Sequence, residues 1–293
     1  MKLKKVVVFV LVAVMVIGLC ATSASAISAG EQRVTMGADL TEDQRAKVYQ
    51  DFGIEEGSVK ELQVTNAEER AYLEGVAEEN VIGNVALSCI YLTTLEEGSG
   101  LNITVKNIKW CTNEMYKNAL ITAGITDASV MISAPHEVTG TAALTGIYKA
   151  YEDITGVTLR EDAKEAATGE LVITGYLAEA LGSENATELV NELKGILDQT
   201  QNMTDDEVRS EISRIASDLG IDVTDDQIEQ LLKLCRSLEG LDVAELQAKL
   251  DSMNGAMDTL AKVKEGFVKF GEGVQNFFQN IGNFFSDLFG GNN

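Results

Sequence analysis

The sequence is poor in the residues on which several common protein chemistries depend. Its 293 residues include 1 histidine, 1 proline, 1 tryptophan and 4 cysteines. Zinc sites are usually built from several His and Cys side chains, so a lone His136 without any CxxC spacing argues against a zinc centre. The lipase, zinc-protease and P-loop motifs are missing, and so is a complete EF-hand loop. We therefore predict neither a metal nor another cofactor.

Positive charge is also scarce. The chain has 23 Lys and Arg against 46 Asp and Glu, which gives a formal net charge of −23. Nucleic acid is bound through clustered Lys and Arg, so we predict that nucleic acid is not a partner. A composition of 45% hydrophobic and 24% charged residues is typical of a folded globular protein.

Residues 1–26 have the composition of a signal peptide. Three lysines precede an apolar run over 6–20, and Ala24-Ser25-Ala26 supplies the small residues that signal peptidase accepts. We expect the mature chain to begin near Ile27, and the protein to be secreted, either extracellular or loosely associated with the cell envelope. Cleavage would remove three Lys and no acid, which leaves 20 cations against 46 acids and a net charge of −26. No later run of about 18 apolar residues predicts a membrane span.

The mature chain keeps three cysteines, an odd number for an oxidising compartment. Cys89 and Cys111 flank a predicted hairpin and form the better candidate pair for a disulfide. The alternative is that Cys89, Cys111 and Cys235 are three buried free thiols. The sequence leaves both possibilities open.

The sequence pattern over residues 27–160 predicts a small α/β sheet domain. Capping boxes at Thr41–Gln44 and Thr65–Glu68 begin two helices, over 42–52 and from 66 to about 79. Four strands are predicted over 58–64, 86–95, 101–110 and 128–134, with the middle two joined as a hairpin through 96–100. A helix over 112–123, ended by Gly124, separates the last two strands and implies a parallel crossover.

Residues 161–265 predict an all-helical region. A 20-residue repeat matches 203–208 with 223–228, and each copy begins with a capping box, at Thr204–Glu207 and at Thr224–Gln227. Two copies indicate a pair of capped helices. The predicted fold is therefore α+β, a mixed four-stranded sheet domain followed by a helical C-terminal region.

The start of a helix after Pro135 is the candidate ligand site. Thr139, Gly140 and Thr141 precede a first turn made almost entirely of small residues, and exposed N–H groups there could hold an anion or a carboxylate. The competing interpretation is that small residues let this helix lie close to the sheet. Both interpretations predict the same Gly and Ala spacing.

The last 28 residues, 266–293, differ in composition from the rest. Seven of the 9 Phe in the chain lie there. An apolar stripe steps by three and four residues along a predicted amphipathic helix and includes Phe267, Phe270, Phe277, Ile281, Phe284 and Leu288. The stripe could pack as core, bind a protein partner or a second copy, or lie on a membrane surface. The membrane is the less favoured of these, because the opposite face carries Gln and Asn in place of Lys and Arg.

Several segments of the sequence resemble the secreted YpuA-like family of Gram-positive bacteria, whose function is unknown. The similar segments are Val34–Leu40, Val64–Asn66, Gly98–Leu101, Tyr116–Gly124, Ala134-Pro135 and Gly140–Gly146. The resemblance implies secretion and a shared fold, and it transfers no catalytic residue. Cys89 and His136 depart from it, where a small hydroxyl and an aromatic are expected.

Two classes of function remain. The favoured one is a secreted, non-catalytic protein that binds a partner, an envelope component or a second copy of itself. The alternative is a secreted hydrolase with paired carboxylates, which would need two carboxylates in a cleft, at least one with a raised pKa. We predict that no such pair stands out near residues 133–152, and we assign no catalytic residue.

Overall fold

A computed structural model of the chain describes residues 28–252. The predicted signal peptide lies outside the described residues, and so does the C-terminal stripe with Phe267, Phe270, Phe277, Ile281, Phe284 and Leu288. Within 28–252, none of the helices combines the length and the apolar character that crossing a bilayer requires. The described part of the chain is of the predicted α+β class.

The described residues form five strands and ten helices, followed by a helical segment over 243–252. The strands are β1 (Gln32–Gly37), β2 (Glu61–Val64), β3 (Cys89–Thr94), β4 (Leu101–Ile108) and β5 (Ala128–Val138). The helices are α1 (Glu42–Phe52), α2 (Asn66–Leu73), α3 (Glu79–Ile82), α4 (Asn113–Ala123), α5 (Thr141–Thr155), α6 (Glu161–Leu181), α7 (Ser183–Gly195), α8 (Leu197–Thr200), α9 (Asp205–Asp218) and α10 (Asp225–Glu239).

Local capping chemistry sets many of the helix ends. All four predicted capping boxes form, those of Thr41, Thr65, Thr204 and Thr224. Helices α1 and α4 begin and end within one residue of the predicted positions. A left-handed glycine follows the last turn of each and ends it. The helix that begins at Asn66 is shorter than predicted and ends at Leu73.

The sheet has five strands, one more than predicted, in the order β2-β1-β3-β5-β4. The additional strand is β1, which is parallel to β2 and antiparallel to β3. Its central residue Thr35 is fully buried, and the Thr35 hydroxyl donates a hydrogen bond to the Gly146 carbonyl at 3.0 Å. A six-residue strand that buries both faces gives little of the alternation that reveals strands in a sequence.

The predicted hairpin between 86–95 and 101–110 is wrong. Strand β5 lies between β3 and β4, antiparallel to the first and parallel to the second. The predicted parallel crossover from β4 through α4 to β5 is confirmed. Since β5 is the longest strand and largely buried, an interior position lets both of its edges form hydrogen bonds away from water.

Strand β5 does not stop at Pro135, where the sequence predicts its end, and continues to Val138. The register with β4 shifts between Lys106 and Ile108, and Asn107 between them has a left-handed φ of 59°. The Asn107 side chain donates to the Ala134 carbonyl at 2.7 Å. The bulge therefore accommodates the proline, which has no N–H for the ladder.

Helices cover both faces of the sheet. On one face, Ile90 and Ile132 belong to the main apolar cluster, which includes residues of α4 and α5. On the other face, Val34 and Met36 pack with α1. Helix α6 links the sheet to the helical region. Its Leu171 belongs to the main apolar cluster, while other residues of α6 belong to a second apolar cluster formed mostly by the C-terminal helices. The two repeat helices, α9 and α10, pack against each other.

The three cysteines in the described range are buried free thiols. Cys89, Cys111 and Cys235 lie in three different apolar clusters, and the hairpin that suggested pairing the first two does not form. Burial raises the pKa of the Cys89 thiol and of the Cys111 thiol to about 12. Such thiols are poor nucleophiles at neutral pH because the thiolate is disfavoured.

Candidate functional site

The predicted ligand site at Thr139, Gly140 and Thr141 is a buried corner of the fold. Helix α5 begins at Thr141, and Gly140 precedes it with a left-handed φ of 105°. The Gly140 carbonyl accepts a hydrogen bond from the Tyr116 hydroxyl at 2.6 Å. The Thr139 carbonyl accepts one from the Cys111 N–H at 3.2 Å.

A side-chain carboxyl group of the protein itself, that of Glu69, lies beside the start of α5. The Thr141 hydroxyl donates to the Glu69 carboxylate at 2.6 Å, and the Asn66 amide donates to its other oxygen at 3.2 Å. Both Thr141 and Glu69 are almost fully buried. The helix terminus therefore meets a carboxyl group, as its dipole favours, but this group comes from α2 and is not a ligand.

Glu69 is the clearest case of a perturbed carboxyl group in this corner. Burial raises its pKa from the ordinary 4.5 to about 7, although the hydrogen bonds from Thr141 and Asn66 and the charge of Arg70 oppose the rise. The Arg70 guanidinium itself pairs with Glu79, at 2.7 Å. The sequence analysis did not identify Glu69, because a glutamate next to other acidic residues on a short helix is normally expected to be exposed to solvent.

The Glu69 pKa predicts a change of stability with pH. The folded state keeps a proton that the unfolded chain releases between pH 4.5 and about 7, so this contribution is full below that window and lost above it. The loss is about 3 kcal/mol. Glu69→Gln cannot ionise, and we expect its free energy of unfolding to rise relative to the wild type by about that amount between pH 4.5 and 8. Urea denaturation at several pH values measures this difference.

Glu68→Gln provides the matched control on the neighbouring residue. Partial burial alone would raise the Glu68 pKa, but hydrogen bonds from Lys149 and Thr65 lower it. Ionised Glu68 therefore stabilises the fold above its ordinary pKa of 4.5, and this contribution is lost only as the pH falls below that value. The difference between Glu68→Gln and the wild type should stay constant from pH 4.5 to 8 and change only at lower pH. A Glu69→Gln difference that stays constant from pH 4.5 to 8 would show that Glu69 is ionised throughout.

Two adjoining openings lie along α7, where it faces α4. We call them together the α4–α7 groove. Its acidic part has a volume of about 710 Å³, and its lining includes Thr112, Glu114, Glu184, Thr187, Glu188 and Glu192. Its amide part has a volume of about 390 Å³, and its lining includes Lys117, Asn118, Asn191, Gln199, Gln247 and Asp251. Because Glu114, Thr187 and Asn191 line both, the two parts adjoin each other.

Three glutamates of α7 give the acidic part its charge. Glu184, Glu188 and Glu192 are exposed, and none of them forms an ion pair with another residue in 28–252. Across the groove, burial lowers the pKa of Lys117, while the nearby charge of Glu114 opposes that change. Within 28–252, no three His, Cys, Asp or Glu side chains are placed to share a metal ion.

One buried hydroxyl beside the groove has no hydrogen-bond partner among residues 28–252. Thr187 lines both parts of the groove and is 9% exposed, while its Oγ1 has almost no exposed surface and no hydrogen-bond partner among residues 28–252. A buried polar atom without a partner costs about 1–3 kcal/mol.

A buried ion pair lies next to the amide part. The Lys194 ammonium contacts the Glu170 carboxylate at 2.8 Å, with side-chain exposures of 0% and 1%. Lys194 also donates to the Asn118 carbonyl at 3.2 Å, and the Asn118 side chain donates to Asn191 at 2.7 Å. The pair therefore holds α4, α6 and α7 together beside the groove.

Sequence reasoning did not identify the groove. Its signal in the sequence is the spacing of Glu184, Glu188 and Glu192, which places three acids on one helix face at i, i+4 and i+8. The same spacing occurs on many solvated helices, so only the position of α4 distinguishes this one. His136, the lone histidine, is exposed on β5, whereas the three cysteines are buried.

The fold and the groove define an α+β protein with a mixed five-stranded sheet and a helical extension that carries an open polar groove. Comparison with protein families then identifies it more closely. The model of a family described as "Protein of unknown function (DUF1002)" matches residues 36–254, and the chain belongs to this family.

A curated relative agrees with this assignment and confirms the resemblance seen in the sequence. The chain is 38% identical over 242 residues to "Uncharacterized protein YpuA" of Bacillus subtilis (strain 168), which covers 80% of this chain and 81% of the relative. No solved structure matches the chain. Neither description names an activity or a ligand.

Proposed function

We propose that the chain is a secreted, non-catalytic protein that binds a partner at the cell envelope or outside the cell, and that the α4–α7 groove is its binding surface. The observation that carries this proposal is an open groove whose exposed Glu184, Glu188 and Glu192 form no ion pair with another residue in 28–252. Binding sites are typically concave and present a few polar groups that fix the orientation of the bound molecule. The signal peptide predicted over 1–26 supports secretion.

The carboxylate-dependent hydrolase has less support. A general acid needs a raised pKa, and Glu69 has one. However, Glu69 is 1% exposed and both of its oxygens are hydrogen-bonded within the protein. A substrate could not reach this carboxyl group in the described conformation.

The C-terminal stripe over 266–293 is a second proposed contact surface, for a protein partner or for self-association. Its concentration of Phe residues supports this proposal. The groove and the stripe can be separated experimentally, because they lie in different parts of the chain.

Retention on envelope fractions tests the binding function. Three proteins are compared, the mature chain over 27–293, its Asn191→Trp variant and a chain cut at Glu265. Asn191 lines both parts of the groove, so an indole there should block it. We expect the wild type to sediment with the envelope and Asn191→Trp to remain in solution, with circular dichroism melting curves showing that both are folded.

The cut chain then shows whether the stripe is needed. Retention lost only in the cut chain would move the binding surface to residues 266–293 and contradict the groove assignment. If the wild type itself stays in solution and elutes alone from every fraction tested, the proposed envelope binding is wrong.

A further inference from the structure

We propose that Glu69 and Thr141 form a proton-dependent hydrogen-bond switch, which holds the segment between β2 and β3 closed while Glu69 carries a proton and releases it when the proton is lost. We call this segment, residues 66–85 with helices α2 and α3, the α2–α3 arm. The inference concerns a conformational change of the fold and does not depend on the proposed binding groove.

The first support is the hydrogen-bond geometry around the Thr141 hydroxyl at the start of α5. This hydroxyl lies 2.6 Å from a carboxyl oxygen of Glu69 on α2 and 3.4 Å from the carbonyl oxygen of Val81 on α3. All three residues are buried. A hydroxyl has one proton to donate, so it can serve only one of these two acceptors at a time.

The protonation state of Glu69 decides which acceptor is served. A protonated Glu69 donates its O–H to the Thr141 oxygen, and the Thr141 hydroxyl then donates to the Val81 carbonyl. An ionised Glu69 can only accept, so the Thr141 hydroxyl donates to it and the Val81 carbonyl loses this bond. Thr141 therefore links both helices of the arm to α5 only while Glu69 is protonated.

Ionisation of Glu69 also places a charge in a buried site. Burial raises the pKa of Glu69 to about 7. The Asn66 side-chain amide donates to its second carboxyl oxygen at 3.2 Å, and the Asn66 oxygen in turn accepts from Arg70 Nε at 3.0 Å. The Arg70 guanidinium is bonded to the Glu79 carboxylate and to the Gly83 carbonyl, so its charge offsets that of Glu69 only in part. The ionised carboxylate therefore gains solvation when the arm opens to water.

The other ionisable groups close to Glu69 keep one protonation state between pH 5.5 and 8. Burial raises the pKa of the Cys111 thiol to about 12 and holds the pKa of the Tyr116 hydroxyl well above its usual value, so both stay neutral. The hydrogen bond to Glu79 raises the pKa of Arg70, which stays charged. The same bond lowers the pKa of Glu79, which stays ionised.

Two lysines of the neighbouring helices contact α2 at other residues. Lys149 on α5 pairs with Glu68 at 2.6 Å, and Lys164 on α6 has its ammonium 5.5 Å from the centre of the Tyr72 ring. Partial burial alone would raise the Glu68 pKa, but the hydrogen bond from Lys149 lowers it below the ordinary 4.5. Among these groups, only Glu69 changes its charge between pH 5.5 and 8.

The second support is that the arm packs on the protein through a small apolar cluster of its own. Leu73 and Ile82 of the arm pack with Val172 of α6, and Trp110 and Tyr176 border this cluster. Neither Leu73 nor Ile82 belongs to the main cluster beneath the sheet. Segments with few buried apolar contacts open more readily than a main core. The arm can therefore open while the sheet stays folded.

Hydrogen exchange followed by mass spectrometry tests the switch on the mature chain over 27–293. The readout is the protection factor of peptides from the arm at pH 5.5 and pH 8, corrected for the intrinsic effect of pH on amide exchange. The Glu69 pKa rises from 4.5 in the open arm to about 7 in the closed one, so protection should fall about 25-fold between these pH values. Peptides from β3 and β5 should stay more strongly protected than the arm at pH 8.

Three variants separate the switch from other causes. Glu69→Gln cannot ionise and keeps a donor for the Thr141 oxygen, so its arm should retain the pH 5.5 protection at pH 8. Thr141→Val removes the bond to the Val81 carbonyl, so its arm should be several-fold less protected already at pH 5.5. Glu68→Gln is the matched control. It loses the ion pair with Lys149 at both pH values, and the fall of about 25-fold should remain.

Three results would contradict the switch. The wild-type fall in protection, if it also occurs in Glu69→Gln, would mean that another group controls the opening and would overturn the proposal. Equal protection of arm and sheet peptides at pH 8 would also overturn it, because the whole protein would then open in place of the arm. Wild-type protection in Thr141→Val at pH 5.5 would show that the Thr141 hydroxyl does not hold the arm closed.

Discussion

Lys194→Met is expected to lower the free energy of unfolding by about 3–5 kcal/mol, because it leaves the Glu170 carboxylate buried without its counter-charge. Lys194 and Glu170 have side-chain exposures of 0% and 1%, so water cannot replace the missing ammonium. The substitution also removes the hydrogen bond to the Thr122 hydroxyl at 2.9 Å. Urea denaturation followed by circular dichroism measures the loss.

Two comparisons isolate the buried charge as the cause. Lys60→Met breaks an exposed ion pair with Asp153, in which Lys60 is 57% exposed, and should cost no more than about 1 kcal/mol. In the double variant Glu170→Leu, Lys194→Met both charges are gone, and most of the stability lost in Lys194→Met should return. If Lys194→Met lowers the free energy of unfolding no more than Lys60→Met does, then water or another group compensates the charge of the Glu170 carboxylate.

Gly140→Ala is expected to destabilise the fold by about 2–5 kcal/mol, from backbone strain and overpacking together. Gly140 has a φ of +105°, which residues with a Cβ rarely adopt. A Cβ added there would lie 2.5 Å from the Tyr116 hydroxyl oxygen and 2.5 Å from Ile108 Cγ2. Because the Tyr116 hydroxyl donates to the Gly140 carbonyl, moving it aside also breaks a buried hydrogen bond.

Gly156→Ala separates the strain from the clash. Gly156 follows the end of the same helix with a φ of +67°, and no atom lies within 4 Å of its added Cβ. This variant should therefore show the backbone cost alone, about 1–2 kcal/mol. Equal melting temperatures for the two variants would show that the corner around Gly140 can relax. A larger loss in Gly140→Ala supports the interpretation that small residues here serve close packing.

The two glycines also show how far the candidate site at Thr139, Gly140 and Thr141 could be predicted. The sequence correctly places a helix start there, because a threonine before a run of small residues is a local signal. It does not show that Glu69, 72 residues away in the chain, supplies the carboxyl group that bonds to Thr141. In the fold, a buried carboxyl group from α2 already lies beside this helix terminus.

The predictions about strands divide in the same way. Alternation and β-branched residues locate β3 and β4 in the sequence, but their order in the sheet depends on which edges pair. Strand β5 takes the position between them, and the loop over 96–100 does not close a hairpin. Neighbouring strands in sequence pair often enough to make the hairpin the natural prediction, and burial of β5 overrides it.

The sequence by itself determined the helix starts capped by Thr41, Thr65, Thr204 and Thr224, and also the crossover through α4, the acidic charge and the family. The helix starts depend on hydrogen bonds within a few residues, and the other features depend on composition and on residue patterns, all of which the sequence displays directly. Only the tertiary structure decided the strand order, the burial of Glu69, the Lys194–Glu170 pair and the groove between α4 and α7. Each of these joins groups far apart in the chain, and packing against a shared core selects which of the many acids and lysines meet.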